Sequence, residues 1–131
     1  MKLLTGPLTC NPDLIRFNNS QDREIVMSHI WSRLELEKEE WRKIYKALYL
    51  IDMVIKCGDT TCIDEIKGKS YDIRKFETFS YKTVGVEKGN GIREKAKAIG
   101  DLLSSSDLIR EERLKIKKIR QKLTGQPLHG I

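Results

Sequence analysis

Residues 41–58 read WRKIYKALYLIDMVIKCG, and this stretch decides the fold. Trp41, Ile44, Tyr45, Leu48, Ile51 and Ile55 recur at helical spacing, while Ala47, Leu50 and Val54 widen the apolar stripe onto a second face. A helix that is apolar on two sides must be enclosed by neighbours, so it belongs at the centre of the molecule. Gly58 follows the run directly, and its position predicts a left-handed glycine cap. The polar positions are Arg42, Lys43, Lys46 and Lys56, which leaves a core helix with a cationic rim. Such a rim suits an anionic partner.

Working outward, Asn11-Pro12 reads as a cap and first helical residue for a short helix over Asp13 to Phe17. Ser20 with Glu24 opens the next helix, whose apolar positions Ile25, Val26, Ile30 and Leu34 are expected to face inward. The acidic run Glu35 to Glu40 then leads into the central helix. Beyond Gly58, Ile63 and Ile66 predict a short helix ending near Gly68, and Tyr71, Ile73, Phe76 and Phe79 mark another. The segment from Tyr81 to Gly91 carries Gly85, Gly89 and Gly91 and reads as the main loop. Ile92, Ala96, Ile99, Leu102 and Leu103 form a clean amphipathic pattern, which Ser104 to Asp107 stops before capping a last helix. That helix is expected to keep Ile109, Ile116, Ile119 and Leu123 inward as far as Thr124-Gly125.

No segment shows strand alternation, so the expected fold class is all-α, and no internal repeat of fixed period is present. At 131 residues the chain suits one domain that can bury a core without metals or disulfides. Hydrophobic content of 39% against 34% charged residues favours a thin helical stack with much solvated surface. Cys10, Cys57 and Cys62 are an odd set without framework spacing, which points to a reducing compartment. Met1 to Leu4 is too short for a signal peptide, and no window has the roughly 20 apolar residues of a membrane span. Any membrane contact is therefore expected to be peripheral.

Catalytic and metal chemistry find no pattern. His29 and His129 have no companion Cys or acid at metal-ligand or triad spacing, and the Cys57-x4-Cys62 pair lacks the second pair zinc needs. The glycines from Gly85 to Gly91 precede no Lys-Ser/Thr and so make no phosphate loop. No enzyme, metal or cofactor is expected.

The central helix also carries a family resemblance. Trp41-Arg42-x-Ile44-Tyr45-Lys46-Ala47-Leu48, running into Ile55-Lys56-x-Gly58, resembles the central helix of the epsin N-terminal homology (ENTH) domain. Ile30-Trp31-Ser32-Arg33-Leu34 is similar to the end of the preceding family helix. Tyr71-Asp72-Ile73-Arg74 with Phe76, Phe79 and Tyr81, Gly89-Asn90-Gly91-Ile92-Arg93-Glu94-Lys95-Ala96-Lys97, and Leu108-Ile109-Arg110-Glu111-Glu112-Arg113 follow in family order. The likeness runs from about Gly6 to Arg113. It implies a right-handed superhelical stack of about six to seven helices, an ENTH/VHS-like solenoid, over residues 1–125, with 126–131 as a tail.

The resemblance implies an inositol phosphate headgroup held by cations from several helices, because phosphate oxygens accept charge-assisted hydrogen bonds. Arg33, two places after Trp31, and Lys43, two places after Trp41, match the family positions. The family lysine two residues before the second tryptophan is Glu39 here, with Lys38 beside it as a substitute. Arg33, Lys38 and Lys43 are thus the expected headgroup contacts. Arg42, Lys46, Lys115, Lys118 and Lys122 form the wider basic surface. Each cation taken alone reads equally as a solvated residue, and the last helix as a polar face with pairs such as Glu111 and Lys115. Its apolar residues are expected to serve the core. Met1 to Thr5 are too few to form the family's first helix or its lipid-induced one, so an incomplete pocket is expected.

The function these readings imply is an epsin-like membrane-trafficking adaptor module, binding phosphoinositide headgroups, coat proteins or SNARE proteins in clathrin-linked vesicle formation. Exposed apolar anchors for a partner helix would be Tyr49, Tyr81 and Val84, with an inward role more natural for Tyr81. The alternative is a protein-interaction module without lipid binding. A third reading is nonspecific nucleic-acid binding by the basic last helix, although the chain lacks aromatic-basic interleaving and no nucleic acid is expected. The expected state is a cytoplasmic monomer, peripherally associated with plasma membrane, Golgi or endosomal vesicles.

Overall fold

The computed structural model describes residues 20–124; Met1 to Thr5, the expected helix over Asp13 to Phe17 and the tail at 126–131 lie outside them. Six α-helices follow in order: α1 (Ser20–Arg33), α2 (Trp41–Cys57), α3 (Thr61–Gly68), α4 (Ser70–Arg74), α5 (Asn90–Leu103) and α6 (Ser106–Thr124). Short 3-10 turns at Lys38–Glu40 and Lys75–Thr78 lead into α2 and out of α4.

As its two-sided pattern requires, α2 is the hub and packs against α1, α3, α5 and α6. It buries Ile44, Ala47, Leu48, Leu50, Ile51, Met53, Val54 and Ile55, while Trp41 and Tyr45 are half-buried. Burying each of the larger aliphatics contributes about 1.5–3 kcal/mol, so this one helix supplies much of the drive to fold. The expected left-handed cap is not what ends it. Gly58 is extended, with φ −94° and ψ −162°. Glycine is required there for space, since a Cβ would lie 2.9 Å from the Val54 Cα and its carbonyl oxygen. The orphan carbonyls of α2 are satisfied from α6, where Arg113 donates to the Ile55 and Gly58 oxygens, both at 2.8 Å.

Two inward assignments from the sequence are corrected, at Ile25 and along α6, and Tyr71 lies outward. Ile25 is 52% exposed, because Val26, Met27, Ile30 and Leu34 form the stripe that α1 turns to the core, and Ile25 falls beside it. Tyr71 is 80% exposed; two residues before buried Ile73, it projects from the opposite side of a helix too short to enclose both. In α6 only Ile109 is buried, Ile116 is half-buried and Ile119 is 54% exposed, while Leu108 and Leu114 are also exposed. With neighbours α2 and α5 on one side only, α6 does not consume its apolar residues in the core. The Leu123 side chain lies outside the description.

Local capping follows the sequence elsewhere. The Ser105 hydroxyl accepts from the Leu108 amide at 3.3 Å, starting α6. Asp59 accepts from the Thr61 amide and hydroxyl at 3.0 and 2.9 Å, starting α3. The main loop is more regular than expected: strands β1 (Lys82–Thr83) and β2 (Val86–Glu87) pair antiparallel, Lys82 opposite Glu87 and Thr83 opposite Val86. This hairpin leaves the all-α class intact. Among the described residues one charge is buried: Asp52 is 5% exposed on α2 and lies 3.1 Å from the Lys56 ammonium and 3.6 Å from that of Lys95 on α5.

Candidate anion site at the start of the central helix

The corner between α1 and α2 is built by two tryptophans. Trp31, in the last turn of α1, donates its indole N–H to Glu65 of α3 at 2.6 Å, and the Lys69 ammonium lies 5.7 Å from its ring. Leu34, just past the helix, is buried and fixes the turn. Trp41 opens α2, with the Arg42 guanidinium 4.8 Å and the Lys88 ammonium 5.9 Å from its ring. The chain between these anchors has little freedom, so the side chains it carries are held at defined positions.

Arg33 is half-buried at the end of α1, and its Nε donates to the His29 Nε2 at 3.1 Å. Lys43, exposed in the first turn of α2, places its ammonium 2.9 Å from the Glu40 carboxylate. The Glu40 carboxyl is held below its ordinary value by the hydrogen bond from Lys43 and that cation's charge, which outweigh slight desolvation, with a smaller contribution from the Arg33 charge. Lys43, ten places after Arg33, thus makes the direct ion pair with Glu40, and the Arg33 charge acts on the same carboxylate from farther away. The positive end of the α2 dipole adds to it. Lys38 is exposed in the 3-10 turn that carries Glu40.

This arrangement pairs one carboxylate with Lys43 within reach of the Arg33 charge, and a multiply charged phosphate can take the place of that carboxylate with more oxygens to offer. Lys46 and Arg42 are exposed on the same helix, Arg42 stacked on Trp41. The last helix is a separate surface. Lys115, Lys118 and Lys122 are exposed there, but Arg113 docks α6 at the Gly58 end of α2, about 25 Å along the axis from Trp41. On α6 Lys115 pairs with Glu112 at 3.5 Å, where the sequence suggested Glu111. Of the expected partner-helix anchors, Val84 is 97% exposed, whereas Tyr49 and Tyr81 are half-buried, Tyr49 with the Lys95 ammonium 5.0 Å from its ring.

Sequence reasoning passed over Glu40 and His29 as partners. The signals were present: His29 and Arg33 are four apart, Glu40 and Lys43 three apart, the spacings that meet on a helix. Glu87 was also missed. Partial burial would push its carboxyl up, but the Gly89 and Tyr81 amides, the Ser80 hydroxyl and Arg93 all donate to it and bring it down to about 2. Cys62 is buried and its thiol is pushed up to about 11, chiefly by desolvation. Among the described residues no cluster of His, Cys, Asp or Glu is arranged to hold a metal, and no helix is long and apolar enough to cross a membrane.

Comparison with known proteins finds the ENTH domain family model matching residues 13–109. Epsin-3 of Saccharomyces cerevisiae is 39% identical over 109 residues, covering 82% of this chain and 27% of the yeast protein. Clathrin interactor EPSIN 1 of Arabidopsis thaliana is 37% identical over 109 residues, 82% of this chain and 20% of the plant protein. The chain thus spans less than a third of the length of these relatives. Among solved structures, the ENTH domain from epsin-2 in complex with phosphatidylinositol 4,5-bisphosphate superposes with a TM-score of 0.70 and 29% identity, covering 72% of this chain and 68% of that one. The all-α superhelical stack is the fold they have in common.

Proposed function

The chain belongs to the ENTH domain family, and from that membership we propose that it is the membrane-recruiting module of an epsin-like trafficking adaptor, with Arg33, Lys38 and Lys43 as phosphoinositide headgroup contacts. The observation that carries this reading is the Lys43–Glu40 ion pair at the start of α2, with the Arg33 charge from the end of α1 acting on the same carboxylate. The relative solved with phosphatidylinositol 4,5-bisphosphate supports the ligand class, and the plant relative named as a clathrin interactor supports the coat setting. On this reading the domain binds and does not catalyse, acts as a monomer, and sits on the cytoplasmic face of plasma membrane, Golgi or endosomal vesicles, where coat adaptors or SNARE proteins are its protein partners.

The test is co-sedimentation with vesicles containing phosphatidylinositol 4,5-bisphosphate against vesicles of equal charge containing phosphatidylserine. Preferential binding to the first, lost on joint Arg33→Glu and Lys43→Glu substitution, is expected. Equal binding to both, or binding untouched by the double substitution, overturns the headgroup assignment. A second reading, a protein-interaction module without lipid binding, is favoured by one feature: Glu40 already neutralises Lys43, and Glu39 stands where the family resemblance places a lysine. Membrane recruitment in cells that persists after the double charge reversal would support it.

A further inference from the structure

The tip of the β1–β2 hairpin is Val84-Gly85, a two-residue loop in which both residues have positive φ, 51° and 74°. Such a turn matches the twist of the strands, and its first position ordinarily takes Asn, Asp or Gly. A β-branched residue with positive φ is a genuine outlier, since its Cβ crowds the backbone. Packing does not compensate for the strain, because Val84 is 97% exposed. The position is thus unfavourable twice over, in backbone conformation and in apolar surface given to water. Strain retained where it does not stabilise the fold points to a function.

The base of the hairpin is secured. Glu87 accepts from the Ser80 hydroxyl at 3.0 Å, the Gly89 amide at 2.7 Å and Arg93 Nη1 at 3.1 Å, and the Lys88 amide donates to the Tyr81 carbonyl at 2.7 Å. The tip therefore stands out from a fixed base. Val86, 52% exposed, adds apolar surface beside it, and Lys82 and Lys88 flank both valines. Lys88 also places the hairpin, since its ammonium lies over the ring of Trp41, the residue that opens α2 next to Glu40. The hairpin and the Arg33–Glu40–Lys43 site share one end of the molecule.

We infer that the Val84 tip is an apolar wedge that enters the interfacial layer of an anionic bilayer beside the headgroup site. A convex apolar point with the exposed Lys82 beside it fits a lipid surface, where the valines reach the acyl boundary and the ammonium group stays among the phosphates. The inference rests on the membrane reading above and adds to it a contact that does not depend on headgroup identity.

The test compares wild type, Val84→Asn and Val84→Leu on vesicles containing phosphatidylinositol 4,5-bisphosphate and on charge-matched phosphatidylserine vesicles, with thermal unfolding of each variant. Asn tolerates positive φ, so Val84→Asn is expected to keep or raise the melting temperature while vesicle affinity falls by about tenfold, the equivalent of one buried valine side chain. Val84→Leu is expected to retain wild-type affinity. Val84→Gly, equally compatible with the turn, serves as the second loss variant should the Asn variant fold poorly. The Val84 methyl signals are expected to broaden first when a spin-labelled lipid is placed in the bilayer. If wild type binds and Val84→Asn and Val84→Gly bind as tightly, the wedge is overturned and the headgroup site stands. If these variants bind more weakly but wild type shows no preference for the phosphoinositide, the wedge stands and the headgroup reading falls. If wild type binds neither vesicle, both fall.

Discussion

The Lys43 ammonium lies 2.9 Å from the Glu40 carboxylate, three residues back across the junction of the 3-10 turn and α2. In a surface pair this exposed the attraction contributes little to stability, so its consequence lies elsewhere. On the proposed headgroup reading, an incoming phosphate displaces Glu40 from Lys43. Glu40→Gln is therefore expected to strengthen binding to phosphoinositide vesicles by roughly threefold and to leave the melting temperature nearly unchanged. Sedimentation at two salt concentrations checks it, and weaker binding would show that Glu40 orients Lys43 productively.

Arg113 is drawn from the basic helix into a structural task. Its guanidinium closes the C-terminal end of α2 with two hydrogen bonds of 2.8 Å, to Ile55 and Gly58. Arg113→Ala is expected to cost about 2–3 kcal/mol, measured by urea unfolding, because two carbonyls lose a charged donor. Arg113→Lys is expected to recover less than half of that, since an ammonium cannot reproduce the two-pronged geometry.

Asp52 links α2 to α5 through Lys95 while buried among apolar neighbours. Asp52→Asn keeps the shape and removes the charge that Lys56 and Lys95 face. A loss of about 1–3 kcal/mol in unfolding free energy is expected. Double substitution of Asp52 and Lys95 should then cost less than the sum of the single changes, as contacting residues do.

Glu87 makes the hairpin sensitive to acid. Its carboxyl titrates at about 2 in the folded protein against an ordinary 4.5, so the folded state binds fewer protons between those values. The stabilisation is fully present above the unfolded value and disappears as pH falls through about 2. Amide exchange at Gly89 and Tyr81, whose N–H groups donate to Glu87, is expected to accelerate relative to the core over that window. In Glu87→Gln the dependence should vanish and the hairpin amides should already exchange faster at neutral pH.

Repeats of apolar residues along the chain were enough to place α2, α5 and the core that Ile44, Leu48, Ile51, Ile92 and Ile99 form, because helix burial follows a period that local spacing displays. The motif order likewise placed the chain in its family, and with it the positions of Arg33 and Lys43. What neighbours decide was out of reach. Which side of a short helix faces inward depends on the partner that covers it, so Ile25, Tyr71 and Ile119 look the same in sequence as their buried counterparts. Gly58 was correctly marked as a helix end but for the wrong reason, since close approach to the Val54 backbone and capping by Arg113, 55 residues away, arise only when α6 docks. The same holds for the Arg33 charge reaching the Lys43–Glu40 pair and for the strained Val84 tip. Local periodicity fixes what is helical and what is apolar; only the packed chain sets which charges meet and which apolar residues remain in water.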